Sequence, residues 1–243
     1  MSGHSKWANI KFKKGKTDAI RGQVTTKIGR EITIAVRMGG ADPTGNMKLK
    51  LALSKAKANN VPKDNIKRAI AKGVGASDAS NYEEITYEGY GPAGVAIMVS
   101  TLTDNRNRTA AEIRHTFSKG GNMGETGCVG WMFKRKGVFS VAKESGPSEE
   151  DLMMMVLDVG AEDMKTEDEG YEIITAPEDY DAVEKVLSDN NIEIAMSEVS
   201  MIPDTMVTVS GEDAAKVQRM IDGFEELDDV QDVYTNADLP DEE

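Results

Sequence analysis

From residue 138 to residue 199 the hydrophobic period switches between that of a strand and that of a helix, in an order that leaves few folds open. Strand 138–142, helix 148–159, strand 161–165, strand 171–175, helix 178–190 and strand 192–199 spell β-α-β-β-α-β, the order of a ferredoxin-like sandwich. Such a unit closes its own sheet and covers it with its own helices, so residues 136–203 need nothing from their neighbours. The elements on either side then need each other. Strands at 85–87 and 95–99 around a Gly91-Pro92 turn, a helix over 105–118 and a strand over 129–133 come before it; strand 206–209, helix 211–222 and strand 230–234 come after. Joined, they predict a discontinuous unit of the same order, 81–135 plus 204–238, with Pro203-Asp204 as the return point. The tail 239–243 is expected to lack an apolar partner and to be loose.

Residues 1–80 read differently. Ile20, Val24, Ile28, Ile32 and Ala35 recur at helical spacing, and Gly39-Gly40 stop the pattern, which predicts a helix over 17–38. A second helix carries Leu49, Ala52, Leu53 and Ala56 on one face, flanked by Lys48, Lys50, Lys55 and Lys57. A third starts at Pro62, runs through Ile66, Ala69 and Ile70, and is expected to be capped by Gly73. The expected fold class is therefore α+β: an N-terminal three-helix domain followed by two ferredoxin-like α/β domains, one inserted in the other.

Charge divides the chain along the same lines. Residues 1–80 hold 17 Lys or Arg against 5 acids, whereas residues 137–243 hold 5 against 31, so an overall charge of −13 conceals two opposite ends. Segregation by sign is no requirement of solubility, and a basic N-terminal end suits a polyanion, because each cation placed at a phosphate releases a condensed counterion. The candidates are Lys6, Lys11, Lys13, Lys14 and Lys16 in the arm, with Trp7 and Phe12 between them for stacking on bases, packing of Trp7 onto the helical domain being the competing account, then Arg21, Lys27, Arg30, Lys48 and Lys55 on the helices. Arg106 and Arg108 follow a capping Asp104 or Asn105. With Arg114, Lys119 and Lys134-Arg135-Lys136 they make a second cationic surface, for which ion pairing with nearby acids is the competing account.

Catalytic chemistry finds little support. His4 and His115 lie far apart and Cys128 is the single cysteine, so neither a metal cluster nor a Cys-His pair has the spacing it needs. The glycine run 120–127 lacks Gly-Lys-Ser/Thr opening a helix and follows a helix instead of a strand, which is the wrong order for a phosphate loop. One cysteine and no apolar run of about 20 residues point to a reducing, cytoplasmic setting without a membrane span. No cofactor, no metal and no enzymatic activity are expected.

Five separated blocks carry a resemblance: Gly3-His4-Ser5-Lys6-Trp7-Ala8-Asn9-Ile10, Val61-Pro62-Lys63-Asp64-Asn65-Ile66, Tyr87-Glu88-Gly89-Tyr90-Gly91-Pro92, Thr103-Asp104-Asn105-Arg106-Asn107-Arg108-Thr109 and Asp232-Val233-Tyr234-Thr235-Asn236. Spread over the full length and in order, they resemble the YebC/PmpR family. The resemblance implies a three-domain fold and a DNA-binding transcriptional regulator. The family's mitochondrial relative is a translational activator of cytochrome oxidase, which implies ribosomal or transfer RNA, or the ribosome, as the alternative partner. Two positions depart from the family's tendencies, Phe12-Lys13 after Asn9-Ile10-Lys11 and Cys128 after Gly127; the first adds an aromatic suited to unpaired bases.

Overall fold

The computed structural model describes residues 18–75, 82–144, 146–167 and 170–240, with side chains from residue 22 onward. They fall into two compact units, Thr17–Lys134 with Pro203–Glu243, and Arg135–Ile202.

The larger unit opens on three helices, α1 (Asp18–Gly39), α2 (Met47–Ala58) and α3 (Lys63–Val74). Their apolar stripes meet in one core: Ile28, Ile32, Ala35 and Val36 from α1, Leu49, Ala52 and Ala56 from α2, and Ala69 from α3. Asn46 caps α2 by accepting from Leu49 N at 3.1 Å, and its side-chain amide donates back to Ala35 O at 2.7 Å, which fixes the turn between the first two helices. Gly73 does not cap α3. The helix runs past it to Val74 and ends on Gly75, while Gly73 lies buried against α1, where a Cβ would sit 2.7 Å from Val36 Cβ and 2.8 Å from Thr33 O. The glycine serves close helix packing, a role that stop-signal rules do not anticipate.

The rest of this unit is β1 (Glu83–Tyr90), β2 (Ala96–Thr103), α4 (Arg106–Ser118) and β3 (Asn122–Met123), followed after residue 203 by β8 (Val207–Thr208), α7 (Gly211–Glu225), β9 (Val230–Thr235) and β10 (Ala237–Asp238). The main sheet has the order β3-β1-β2-β9, and β8 pairs in parallel with β10. The five residues between β1 and β2 are too few for a crossover, so the two strands form an antiparallel hairpin from Glu83↔Thr103 to Tyr90↔Ala96. The unit thus begins on a hairpin and not on β-α-β. Helices α4 and α7 bury Ile113, Phe117, Val217 and Phe224 against the sheet, with the Phe117 and Phe224 rings edge to face at 4.7 Å. Leu239, expected to have no apolar partner, packs against this core.

No separate strand spans 129–133. Gly130–Met132 is a single 3₁₀ turn, and the chain enters one long strand, β4 (Phe133–Ala142), where two were expected. The second unit continues with α5 (Glu149–Leu157), β5 (Ala161–Thr166), β6 (Gly170–Thr175), α6 (Tyr180–Asp189) and β7 (Ile194–Pro203). Its sheet order, β5-β6-β4-β7, is that of a ferredoxin-like sandwich. Phe139 stacks on Tyr180 at 4.7 Å in its core, and Gly137 makes room for Tyr180 and Thr175, since a Cβ there would meet Tyr180 Cδ2 at 2.9 Å and Thr175 Cγ2 at 2.6 Å. Among the described residues no helix is long and apolar enough to cross a membrane.

Candidate nucleic-acid interface

The cations singled out in the sequence separate into three groups. Lys6, Trp7, Lys11, Phe12, Lys13, Lys14 and Lys16 lie outside the described residues, as does the side chain of Arg21. The other expected residues lie in the larger unit, and all but Arg106 have partners within it.

Residues 23, 27 and 30 recur at spacings of four and three on α1, so they share a face, and that face meets the end of α7. Gln23 Nε2 donates to Glu226 O at 2.6 Å and Lys27 Nζ to Glu225 O at 2.6 Å, satisfying carbonyls that the helix terminus leaves open, with a cation at the negative end of the dipole. Burial lowers the Lys27 pKa to about 8, and the charges of Glu225, Asp228 and Asp232 only partly oppose it. Arg30 Nη1 donates to Asp229 Oδ1 at 3.1 Å, to Asp228 O at 3.2 Å and to Leu102 O at 3.3 Å, with its guanidinium 5.4 Å from the Tyr82 ring centroid.

Asp229 is the centre of this contact. Its carboxylate, 4% exposed, also accepts from Arg108 Nη2 at 2.7 Å, Thr109 Oγ1 at 2.7 Å and Thr103 Oγ1 at 3.2 Å. Burial favours the neutral acid, but the Arg108 and Thr109 donors outweigh it and hold the pKa below the usual carboxylate range. Arg108 bonds Asp104 as well, at 2.9 Å. On α2, Lys55 Nζ lies 3.0 Å from Asp232 Oδ1 and 3.2 Å from Glu31 Oε2; burial works against its charge, and the two carboxylates overcome that and raise its pKa. Lys48 pairs with Glu84 at 2.8 Å. Lys27, Arg30 and Lys55 thus join α1 and α2 to β9 and to the β2–α4 and α7–β9 junctions, and Arg108 ties those two junctions to each other.

Arg106 is exposed at the start of α4, which Asn105 caps by accepting from Arg108 N at 3.1 Å. Of the second cationic surface, Lys134 pairs with Asp204 at 3.0 Å and Lys136 bonds Glu162, whereas Arg114 and Lys119 are exposed without an acceptor among the described residues.

The third helix supplies charges that the sequence reading passed over. Lys63, Lys67, Arg68 and Lys72 are all exposed on the arc of α3 turned away from Ile66, Ala69, Ile70 and Gly73, with Asp64 the single acid on that arc. Arg68 bonds Asn65 Oδ1 at 2.5 Å, which leaves its charge unneutralised. The signal was available: four cations at helical spacing opposite an apolar stripe.

A different feature closes the glycine run. Glu88, buried on β1, accepts from the backbone N–H groups of Gly127, Val129 and Gly130 at 3.0, 2.9 and 2.6 Å. Burial pushes its pKa up, but the three amides prevail and it lies below the ordinary value. Burial and the Glu88 charge push the Cys128 thiol up, away from the thiolate a nucleophile requires.

Comparison with known proteins places this geometry. Residues 5–76 match the model of the TACO1/YebC protein N-terminal domain, and residues 82–237 match that of the TACO1/YebC second and third domain. The chain belongs to the TACO1/YebC family. A probable transcriptional regulatory protein of Desulforamulus reducens is 55% identical over 238 residues, covering 97% of this chain and 98% of its own. One of Moorella thermoacetica is 56% identical over 243 residues, covering 99% and 96%. The crystal structure of a conserved hypothetical protein from Aquifex aeolicus matches with a TM-score of 0.80 at 43% identity, over 93% of this chain and 94% of that one.

Proposed function

We propose that this protein regulates transcription by binding nucleic acid, without catalysing a reaction, and that it contacts the phosphate backbone of DNA through the exposed arc of α3 together with Arg106 and the basic N-terminal arm. The observation that carries the reading is the division among the cations. Those on α1 and α2 that face the sheet are held by acids and carbonyls of the same unit, whereas Lys63, Lys67 and Lys72 are exposed with no acceptor among the described residues. Exposed cations on one helix, backed by a rigid core, suit backbone contact with little base reading, since phosphate contacts position a protein without specifying a sequence. The relatives' names support a transcriptional role.

The test is a salt titration on duplex DNA. Log K of the full chain should fall linearly with log salt, and each lost phosphate contact should reduce the slope by about 0.9. The Lys63→Ala, Lys67→Ala, Arg68→Ala, Lys72→Ala variant should show a slope smaller by about 2–4. A slope equal to that of the unaltered chain would remove α3 from the interface.

A further inference from the structure

Two aromatic rings of the larger unit stand in water on a rigid support. Trp131 is 72% exposed and Tyr90 38%. The Trp131 indole N–H donates to Cys128 O at 3.2 Å, and the Tyr90 hydroxyl donates to that same oxygen at 3.3 Å. One carbonyl therefore gathers the polar edges of both rings. With both donors used internally, the rings have little but their π faces to offer a ligand. Among the described residues neither ring packs against another aromatic.

The carbonyl that holds them is itself held. Glu88 clamps the amides on both sides of Cys128, Gly124 N donates to Glu88 O at 2.9 Å, Cys128 N donates to Glu125 O at 3.1 Å, and Val129 is fully buried. Gly121 lets the loop lie against β1, where a Cβ would be 2.2 Å from Tyr90 O, and Gly124 lets the loop fold on itself, where a Cβ would be 2.5 Å from Cys128 Sγ. Lys119, exposed, precedes this loop by two residues. What sets these two rings apart from an ordinary exposed side chain is the ordered loop that anchors both to one carbonyl, since a group held in place loses less freedom on binding.

From this geometry we infer that Tyr90 and Trp131 form a stacking platform for the unpaired bases of a single-stranded nucleic acid. The inference rests on the nucleic-acid reading above and adds a separate contact to it. Every base has a π face, so such a platform accepts single strands with little regard to sequence and has no access to bases stacked inside a duplex. A protein partner would make different use of an exposed Trp and Tyr, whose N–H and O–H ordinarily meet acceptors across an interface; here both are already satisfied.

The experiment uses the full chain with 12-nucleotide oligouridine RNA, oligothymidine DNA and a mixed-sequence DNA duplex of the same length, at fixed salt. Trp131→Ala and Tyr90→Ala should each weaken single-strand binding by about 5- to 150-fold, with duplex affinity and the salt slope unchanged. Irradiation of an oligonucleotide carrying 5-iodouracil should crosslink to Trp131 or Tyr90, as mapped by mass spectrometry. Preference of RNA over DNA, or equality between them, is compatible with the proposal and identifies the strand. Unchanged single-strand affinity in a folded Trp131→Ala, Tyr90→Ala double variant overturns it while leaving the nucleic-acid reading intact. Equal losses on duplex and single strand also overturn it. So does loss of self-association, seen by sedimentation, with unchanged affinity for all three oligonucleotides. If the unaltered chain binds none of them, the underlying reading fails as well, and the two failures are told apart.

Discussion

Replacing Asp229 by alanine removes the acceptor shared by Arg30, Arg108, Thr103 and Thr109. Removing one partner of a buried ion pair costs about 3–5 kcal/mol, most of it from groups left without a partner. The lower end applies here, because the Arg30 and Arg108 side chains are 22% and 45% exposed and regain water and Thr109 can still donate to Asn105 O, whereas the buried Thr103 hydroxyl loses its acceptor. A loss of about 3 kcal/mol lowers the melting temperature of a protein this size by about 6–12 °C. Calorimetry and urea melts measure it, with Asp228→Ala as the control: Asp228 is exposed in the same turn, and its substitution should cost no more than about 0.5 kcal/mol. A double-mutant cycle of Asp229→Ala with Arg30→Ala, the partner on α1, should return a coupling of about 1–3 kcal/mol. If Asp229→Ala and Asp228→Ala melt together, or the coupling vanishes, Asp229 does not join the helices to the sheet as argued. Its lowered pKa adds a sign. The stabilisation is complete above the unfolded carboxylate pKa of about 3.9 and is lost as pH falls through the folded value, so below about pH 4 the unaltered chain should lose stability faster than Asp229→Asn.

Glu88→Gln offers one carbonyl oxygen where a carboxylate served three amides, and should cost about 1–3 kcal/mol while speeding hydrogen exchange at Gly127, Val129 and Gly130; unchanged exchange at those amides would refute the clamp. Lys27 titrates near 8 when folded and near the usual value of about 10.4 when unfolded, so between those values the unfolded chain holds a proton that the folded chain has released. Stability should therefore rise with pH across that window, and urea midpoints of Lys27→Met should lack the rise.

What could be read in advance followed local pattern. The α1 stripe of Ile28, Ile32 and Ala35 lies in the core where its spacing puts it, and the β-α-β-β-α-β order appears as the β5-β6-β4-β7 sheet, because a unit whose elements pair with near neighbours writes its plan into one stretch of sequence. Features that join distant residues were hidden. Lys27 meets a carbonyl 198 residues away and Lys55 a carboxylate 177 away, and nothing in a run of lysines says which of them an aspartate elsewhere will hold. The role of Gly73 depends on Val36 and Thr33 of another helix, and that of Glu88 on a loop about 40 residues on. The α3 arc is a different case: its four cations were visible at helical spacing but were outweighed by the arm's denser lysines.

Two kinds of positive charge therefore coexist in the helical domain, and Lys55 separates them. Its ammonium lies between Glu31 and Asp232, where burial alone would favour the neutral form and two carboxylates restore the charge. Lys55→Ala leaves those carboxylates without the cation between them. Glu31, whose pKa burial already raises, should then take up a proton at still higher pH, as like charges facing one another disfavour ionisation. The variant should lose about 3 kcal/mol of stability, the lower end for a broken buried pair because the Lys55 side chain is 29% exposed, and the loss should shrink as acid protonates Glu31. A phosphate arriving from outside gains little from an ammonium already neutralised, so the salt slope of DNA binding should stay within about 0.3 of the unaltered chain, against about 0.9 for Lys67→Ala. Stability and slope thus move independently. A Lys55→Ala protein that melts normally but loses a full unit of slope would mean that Lys55 leaves its carboxylates for phosphate, and that the contact between helices and sheet opens when nucleic acid binds.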